Sequence, residues 1–203
     1  MQATIKVTSR QQLIDIVNES PIDANLNHLD VSRLTDMSNV FKGSEFNGVI
    51  SKWDVSNVED ITRMFFESKF TGNIFKWDVG NVRDMGWMFS HSKFNQDISE
   101  WNVSRVTNMN RMFHDSQFNG DISDWDVSSV RNMEWMFSNS KFNGDISKWD
   151  VSNVSNMMHM FYESKFNSDI SHWDVRSIKI MTYMFARSQF NGDISEWVKR
   201  PSK

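Results

Sequence analysis

The sequence has no cysteine, so it has no disulfide framework and no thiolate metal site. It also has no excess of positive charge, since 22 Lys and Arg residues stand against 26 Asp and Glu residues. A nucleic-acid partner is not expected, because phosphate backbones are bound by clustered basic side chains. No stretch approaches the roughly 20 apolar residues that a membrane-spanning helix needs, so membrane insertion is not expected either.

Signals for targeting and for chemistry are also scarce. The N-terminal residues MQATIKVTSRQQLIDIV contain no apolar signal-peptide core, which predicts a cytoplasmic chain. The histidines never take the i,i+4 spacing of a metal site, and no glycine-rich phosphate loop occurs. We therefore expect no metal, no cofactor and no catalytic residue, and hence no enzyme.

What the sequence does have is a 24-residue period. Its tryptophan column reads Trp53, Trp77, Trp101, Trp125, Trp149, Trp173 and Trp197, and Leu29 continues it backwards. Such repeats bury their apolar faces only against neighbouring copies, which predicts one elongated domain. We divide it into an N-terminal cap at residues 1–28, seven repeats at 29–196 and a C-terminal tail at 197–203.

Each unit combines two periodicities. The spacing Ile-x-x-Trp-x-Val predicts a short parallel strand. Val106, Met109, Met112 and Phe113 recur at three- and four-residue spacing, which predicts a short α or 3₁₀ helical segment. Because strands stack ~4.8 Å apart and helices ~8–10 Å apart, the strands are expected on the concave face. The predicted fold class is a leucine-rich-repeat-like solenoid.

The cap is predicted to contain both a strand and a helix. Residues 4–7 alternate as a strand does. Thr8 or Ser9 can cap a helix in which Leu13, Ile14 and Val17 form an apolar stripe. An α/β cap would cover the apolar face of the first repeat.

The repeat resembles a known family. The stretch FNGDISKWDVSNVSNM at residues 142–157, followed by Met160 and Phe161, is similar to the repeat of BspA-like bacterial leucine-rich-repeat surface proteins. The resemblance covers roughly residues 29–197. It implies a secreted or cell-surface protein that binds other proteins or host components, and it brings no catalytic residues. The compartment thus stays open between the cell surface and the cytoplasm.

One column of the unit varies in a way that core packing does not explain. It lies on the outward side of the predicted helical segment and carries large aromatics and arginines, the residues enriched in interface hot spots. We interpret this column, together with three residues one helical turn further on, as a partner-binding surface. The first column reads Arg63, Trp87, Arg111, Trp135, His159 and Tyr183, and the second group is Phe66, His114 and Tyr162. The alternative is an internal cation–π ladder, with Arg111 lying between Trp87 and Trp135.

A second surface is the predicted concave strand face. Its variable column mixes both charge signs and carries no aromatic residue, which is typical of a solvated face but can also guide a complementary partner. The column reads Lys52, Lys76, Glu100, Asp124, Lys148 and His172.

Two acidic columns and one asparagine column repeat along the chain. One acidic row contains Asp97, Asp121 and Asp145, and the other contains Asp126 and Asp150. Stacked carboxylates could bind calcium, but an Asp that accepts backbone N–H bonds in a turn needs no ion, and we prefer this local interpretation. The asparagine column is expected to be a buried ladder that satisfies backbone groups in the turns.

These features predict a non-catalytic module that binds a protein partner, as a monomer or as a partner-bound heterodimer. Two alternatives remain. One is a stoichiometric inhibitor or immunity protein that blocks a toxin or enzyme. The other is a bacterial surface adhesin that binds host matrix or glycan.

Overall fold

The computed structural model describes residues 4–199. Residues 1–3 of the expected cap and 200–203 of the expected tail lie outside the described residues. The elements are strand β1 (Ile5–Lys6), helix α1 (Arg10–Glu19), strand β2 (Leu29–Asp30) and helix α2 (Ser195–Lys199). β1 and β2 pair in parallel. None of the helices in the described part of the chain is long and apolar enough to cross a membrane.

The N-terminal region is an atypical copy of the repeat. Ile5 pairs with Leu29, and Asn25 bridges to Val49, both at an offset of 24 residues. In that register α1 takes the place that residues 34–43 occupy in the first repeat. Ser9 caps α1, because its Oγ accepts the Gln12 N–H at 3.2 Å. On the inner side of α1, Leu13 and Val17 are buried.

Consecutive units are joined by backbone hydrogen bonds, mainly along the segment predicted to be helical. Parallel bridges connect residues 24 apart, and the N–H groups of alternate residues then donate to carbonyls of the next unit. In the fourth unit the donors Met109, Arg111 and Phe113 reach acceptors at 2.9, 2.8 and 3.0 Å. The bridges run Asp36–Asp60, Asp60–Asp84, Asp84–Asn108, Asn108–Asn132, Asn132–Asn156 and Asn156–Ile180.

This segment contains no helix in the described repeats, which differs from the prediction. It is instead a run of i to i+3 turns, with Met112 N–H donating to Met109 O and His114 N–H donating to Arg111 O, both at 3.2 Å. Left-handed backbone at Arg111 (φ 55°) and Asp115 (φ 51°) interrupts any helix. We call this run of turns, with its inter-unit hydrogen bonds, the turn ladder.

The Ile-x-x-Trp segment also differs from the prediction, since it is a turn rather than a strand. Trp125 N–H donates to Ile122 O at 3.2 Å within the unit. The contact between units is made by the indole, whose Nε1–H donates to Ile98 O, 27 residues earlier, at 3.1 Å. Apart from β2 at Leu29–Asp30, the expected concave strand face is therefore a row of turns in the described chain.

A single apolar core runs through all the units. The rings of Phe65, Phe89, Phe113, Phe137, Phe161 and Phe185 stack with centroids 5.6–5.8 Å apart. The serine column lies beside them: Ser116 is buried, and its Oγ accepts the Phe118 N–H at 3.1 Å. Stacking of like residues at each level therefore aligns the variable columns on the surface.

Candidate functional site

The variable column forms an unbroken row of stacked side chains, which we call the strip. All six of its residues have left-handed backbone, with φ between 55° and 61°. The Arg111 guanidinium lies 4.4 Å from the Trp87 ring and 5.4 Å from the Trp135 ring. Arg63 covers Trp87 from the preceding unit at 5.2 Å. The cation–π ladder weighed as the alternative is thus present in the structure.

Aromatic stacking continues the strip toward the C-terminus. His159 lies 4.1 Å from Trp135 with nearly parallel rings, and Tyr183 lies 5.3 Å from His159. Contacts of about 4–5.5 Å between offset rings are favourable and hold each ring against its neighbours. The strip is therefore pre-ordered from Arg63 to Tyr183.

A second row of rings supports the strip from one side. Phe66 packs edge-on against Trp87, and Tyr162 packs against both Trp135 and His159. His91 was not among the predicted site residues, yet its ring lies 5.1 Å from that of His114. The sequence could not reveal His91 as part of the site, because the contact between His91 and His114 joins two different repeat columns.

The surroundings of His114 lower its pKa. Burial lowers the pKa of His114 below its ordinary value, and the nearby imidazole of His91 lowers it further. His91 itself lies 2.7 Å from Asp115 Oδ2. His114 Nδ1 lies 3.2 Å from Ser138 O, so the ring is held between this carbonyl and the ring of His91.

The strip is less exposed than predicted. Arg63 and Tyr183 are exposed, but the four residues between them are half-buried, because neighbouring side chains of the strip cover one another. Trp135 Nε1 and His159 Nδ1 are buried and have no hydrogen-bond partner in the described part of the chain. These two rings line a shallow pocket of ≈ 350 Å³ together with Tyr162, Tyr183, Ala186 and Arg187.

The second-choice surface has a different character. Lys52, Lys76, Glu100, Asp124, Lys148 and His172 are all exposed and lie in turns. Lys148 and Asp124 form an exposed ion pair at 3.6 Å. A polar depression of ≈ 390 Å³ lies between the units that carry Glu100 and Asp124. Its described lining presents carboxylates and serine hydroxyls to a partner, with Trp101 buried beneath them, rather than a row of stacked aromatic rings.

The acidic columns make local hydrogen bonds, as the preferred interpretation predicts. Asp121 Oδ1 accepts the Ser123 N–H at 2.9 Å, and Asp126 Oδ1 accepts the Ser128 N–H at 3.0 Å. The backbone bond from Ser123 holds the pKa of Asp121 below its ordinary value. Within residues 4–199, no group of three or more His, Asp or Glu side chains is arranged to hold a metal ion.

The asparagine column links the units, but it is exposed rather than buried. Asn95 Oδ1 accepts the Asn119 N–H, and Asn119 Oδ1 accepts the Asn143 N–H, each at 2.8 Å. The ladder can lie at the surface because each amide oxygen satisfies a backbone N–H that faces solvent.

Comparison with protein families identifies the repeat. The model described as "Mycoplasma protein of unknown function, DUF285" matches residues 10–117, 69–162 and 112–202. The chain belongs to this family. The three overlapping matches are expected of a DUF285 sequence in which one unit recurs. No curated protein matches the chain, and no solved structure matches it.

One structural column of this DUF285 chain was not predicted from the sequence. Asp84 Oδ1 accepts the Gly86 N–H at 2.8 Å, and Asn108 Nδ2 donates to Asp84 in the preceding unit. The signal was available, since Asp or Asn stands at this position in six consecutive units and only Ile180 departs from it. The column marks where the turn ladder begins.

Proposed function

We propose that this DUF285 chain is a leucine-rich-repeat-like solenoid with BspA-like repeats, and that it binds a protein partner through the strip without catalysing a reaction. The observation that carries the proposal is the row of stacked aromatic and arginine side chains from Arg63 to Tyr183. Its variation from unit to unit is not required by core packing.

The physical argument rests on pre-ordering. Each ring of the strip is already held by its neighbours, so docking costs little side-chain entropy. Trp, Tyr and Arg also bury large area with few rotatable bonds, which is why they dominate interface hot spots. Each exposed edge of the strip would thus contribute a large share of the binding free energy for its size.

The pocket at the C-terminal end of the strip adds a polar component. Trp135 Nε1 and His159 Nδ1 lack hydrogen-bond partners among residues 4–199. A partner group that enters the pocket can pair with either atom once a small shift of the ring uncovers it, which adds a hydrogen bond that the described chain does not make. Arg187 at the pocket rim, paired with Glu163 at 2.8 Å, can exchange that partner for one on the bound protein.

An affinity capture from the source organism tests this proposal. The baits are the intact chain, a Trp87→Ala/Trp135→Ala variant and a matched Glu100→Ala/Asp124→Ala variant on the second-choice surface, with bound proteins identified by mass spectrometry. Because both indoles are half-buried, thermal unfolding first establishes that each bait is folded at the capture temperature.

We expect a partner that binds the intact chain and the Glu100/Asp124 variant but is weakened by about 2 kcal/mol or more with the tryptophan variant. Loss with the Glu100/Asp124 variant alone would contradict the strip and favour the charged surface. A single intracellular enzyme as partner would identify an inhibitor or immunity protein, whereas envelope or host-surface partners would identify an adhesin.

A further inference from the structure

The turn ladder has a direction. In each unit the alternate N–H groups donate toward the C-terminal neighbour, and the carbonyls that precede them accept from the N-terminal neighbour. The sixth unit shows the full row. The N–H groups of Met157, His159, Phe161 and Glu163 donate to the carbonyls of residues 180, 182, 184 and 186 at 2.8, 3.1, 2.9 and 3.0 Å. The peptide dipoles are therefore aligned along the stack, with their positive ends toward the C-terminus.

The last unit leaves this row of donors open. The N–H groups of Met181, Tyr183, Phe185 and Arg187 have no hydrogen-bond partner in the described chain. Beside them, Ile180 and Met181 are 45% exposed and Tyr183 is 64% exposed. In the six preceding units the column of Met181 is fully buried or nearly so. We call this surface, residues 179–187, the donor edge.

The other side of the same unit is covered. In α2, Trp197 stacks on Trp173 with centroids 6.3 Å apart, and its Nε1–H donates to Ile170 O at 3.2 Å. The donor edge therefore lies beside a part of the same unit that α2 covers.

A second copy of the chain does not fit this edge. At the opposite end of the described stack, α1 lies over the first repeat, and Arg10 binds Asp36 at 2.7 Å, so that face of the ladder is covered. Two donor edges facing each other would place N–H groups against N–H groups. The complement must come from a polypeptide that presents a row of acceptors.

The charge of the edge specifies that polypeptide further. Residues 175–192 contain Arg176, Lys179 and Arg187 and no acidic residue. Arg176 and Arg187 pair with Asp174 and Glu163 of the described chain, whereas Lys179 is exposed and has no ion pair among the described residues. The positive ends of the aligned peptides add to this charge.

We propose that the donor edge binds an extended, acidic and apolar segment of a partner protein, which adds to the stack as one more unit. Its backbone carbonyls accept from the four open N–H groups, an acidic side chain pairs with Lys179, and apolar side chains cover Ile180, Met181 and Tyr183. The donor edge adjoins the strip at Tyr183, but it differs from the strip in binding through open backbone N–H groups rather than through Trp87 and Trp135.

A peptide copying residues 53–76 serves as the probe, because it carries the acceptor pattern of a ladder unit and places Glu59 at the level of Lys179. Binding of the labelled peptide to the full chain is followed by fluorescence anisotropy, with a peptide of the same composition in scrambled order as the control. Amide hydrogen exchange by NMR then reports on each donor separately.

The decisive variants are Met181→Pro and Met181→Ala. Both remove the same exposed side chain, but only proline removes the N–H donor. We expect the proline variant to bind the peptide about fivefold more weakly than the alanine variant, the effect of one net hydrogen bond. Binding should also slow exchange at residues 181, 183, 185 and 187, and Trp87→Ala/Trp135→Ala should leave peptide affinity unchanged.

Several results would overturn the proposal. They are equal affinity of the two Met181 variants, equal binding of the scrambled peptide, unchanged exchange at the four amides, or no binding of the probe at all. If the peptide affinity instead falls only with the tryptophan variant, the probe binds the strip and the donor edge has no docking role.

Discussion

One repeat column keeps a left-handed backbone although most of its residues are not glycine. Gly43 begins the column with φ 65°, and Glu67 follows with φ 56°. For a residue with a Cβ this conformation costs roughly 1 kcal/mol. It is retained because it belongs to the turn ladder, in which the Glu67 N–H donates to Ser90 O at 3.0 Å.

Substitution of Glu67 tests this backbone directly. Its side chain is exposed, so Glu67→Gly and Glu67→Ala differ mainly in conformational preference. We expect the glycine variant to be the more stable by about 1 kcal/mol, since glycine adopts a positive φ without steric cost. Urea unfolding of both variants measures the difference.

The same pair of substitutions at Asp15, in the middle of α1, provides the control. There alanine should be the more stable by about 1 kcal/mol, because glycine is a poor helix former. If alanine is also favoured at Glu67, the segment is helical and the turn ladder is incorrect.

At the scale of the element, the apolar columns could be predicted but the turn ladder could not. Stacking follows from the 24-residue period alone, since like residues must meet at every level. The spacing of Val106, Met109 and Met112 fits a helix, yet a run of i to i+3 turns meets the same spacing. Glycine would have marked the left-handed positions, but it stands at only one of them, Gly43.

In the strip, too, one property could be predicted from the sequence and another could not. Its residues could be selected because they vary and because they are aromatic or basic. Their half-buried state could not, because it arises from contacts such as those of Arg111 with Trp87 and Trp135 in neighbouring units. A helical wheel describes one unit at a time and contains no information on how far neighbours cover one another.

The second row of rings should make stability depend on pH near neutrality. His114 has a lowered pKa and faces His91, Arg111 and Asp115 along with the Trp135 ring. The unfolded chain takes up this proton near pH 6.5, and the folded chain takes it up at lower pH. Between those values the unfolded state binds more protons, so stability falls as the pH decreases.

Comparison with His114→Gln isolates this contribution. The free energy of unfolding is measured in urea from pH 8 to pH 5 for both proteins. We expect the advantage of the intact chain over the variant to shrink as the pH falls below about 6.5. An advantage that stays constant or grows over this range would show that burial does not oppose protonation of His114.

For the whole molecule, stability should be close to a sum of similar contributions from units and their contacts. Each unit meets only its two neighbours, so a feature repeated in every unit acts several times. The aspartate turns are such a feature, since Asp97, Asp121, Asp145 and Asp169 each accept a serine N–H at 2.9 Å. Small effects on one carboxylate should therefore accumulate along the stack.

Acid unfolding should show the summed effect of these aspartates on stability. In all four aspartates, the hydrogen bond from the serine backbone holds the pKa below its ordinary value. A lowered folded-state pKa contributes stability that is fully present above the unfolded pKa of about 3.9 and is lost as the pH falls through the folded values. We therefore expect the contribution of these four aspartates to the urea midpoint to hold from neutral pH to about pH 4 and to decline below it, in addition to the change that His114 causes at higher pH.

Replacing Asp121 and Asp145 with Asn keeps an acceptor oxygen but removes the titrating group, so this variant should be less stable at pH 7 and lose less between pH 4 and pH 2. Equal losses in the two proteins would mean that acid acts elsewhere in the chain.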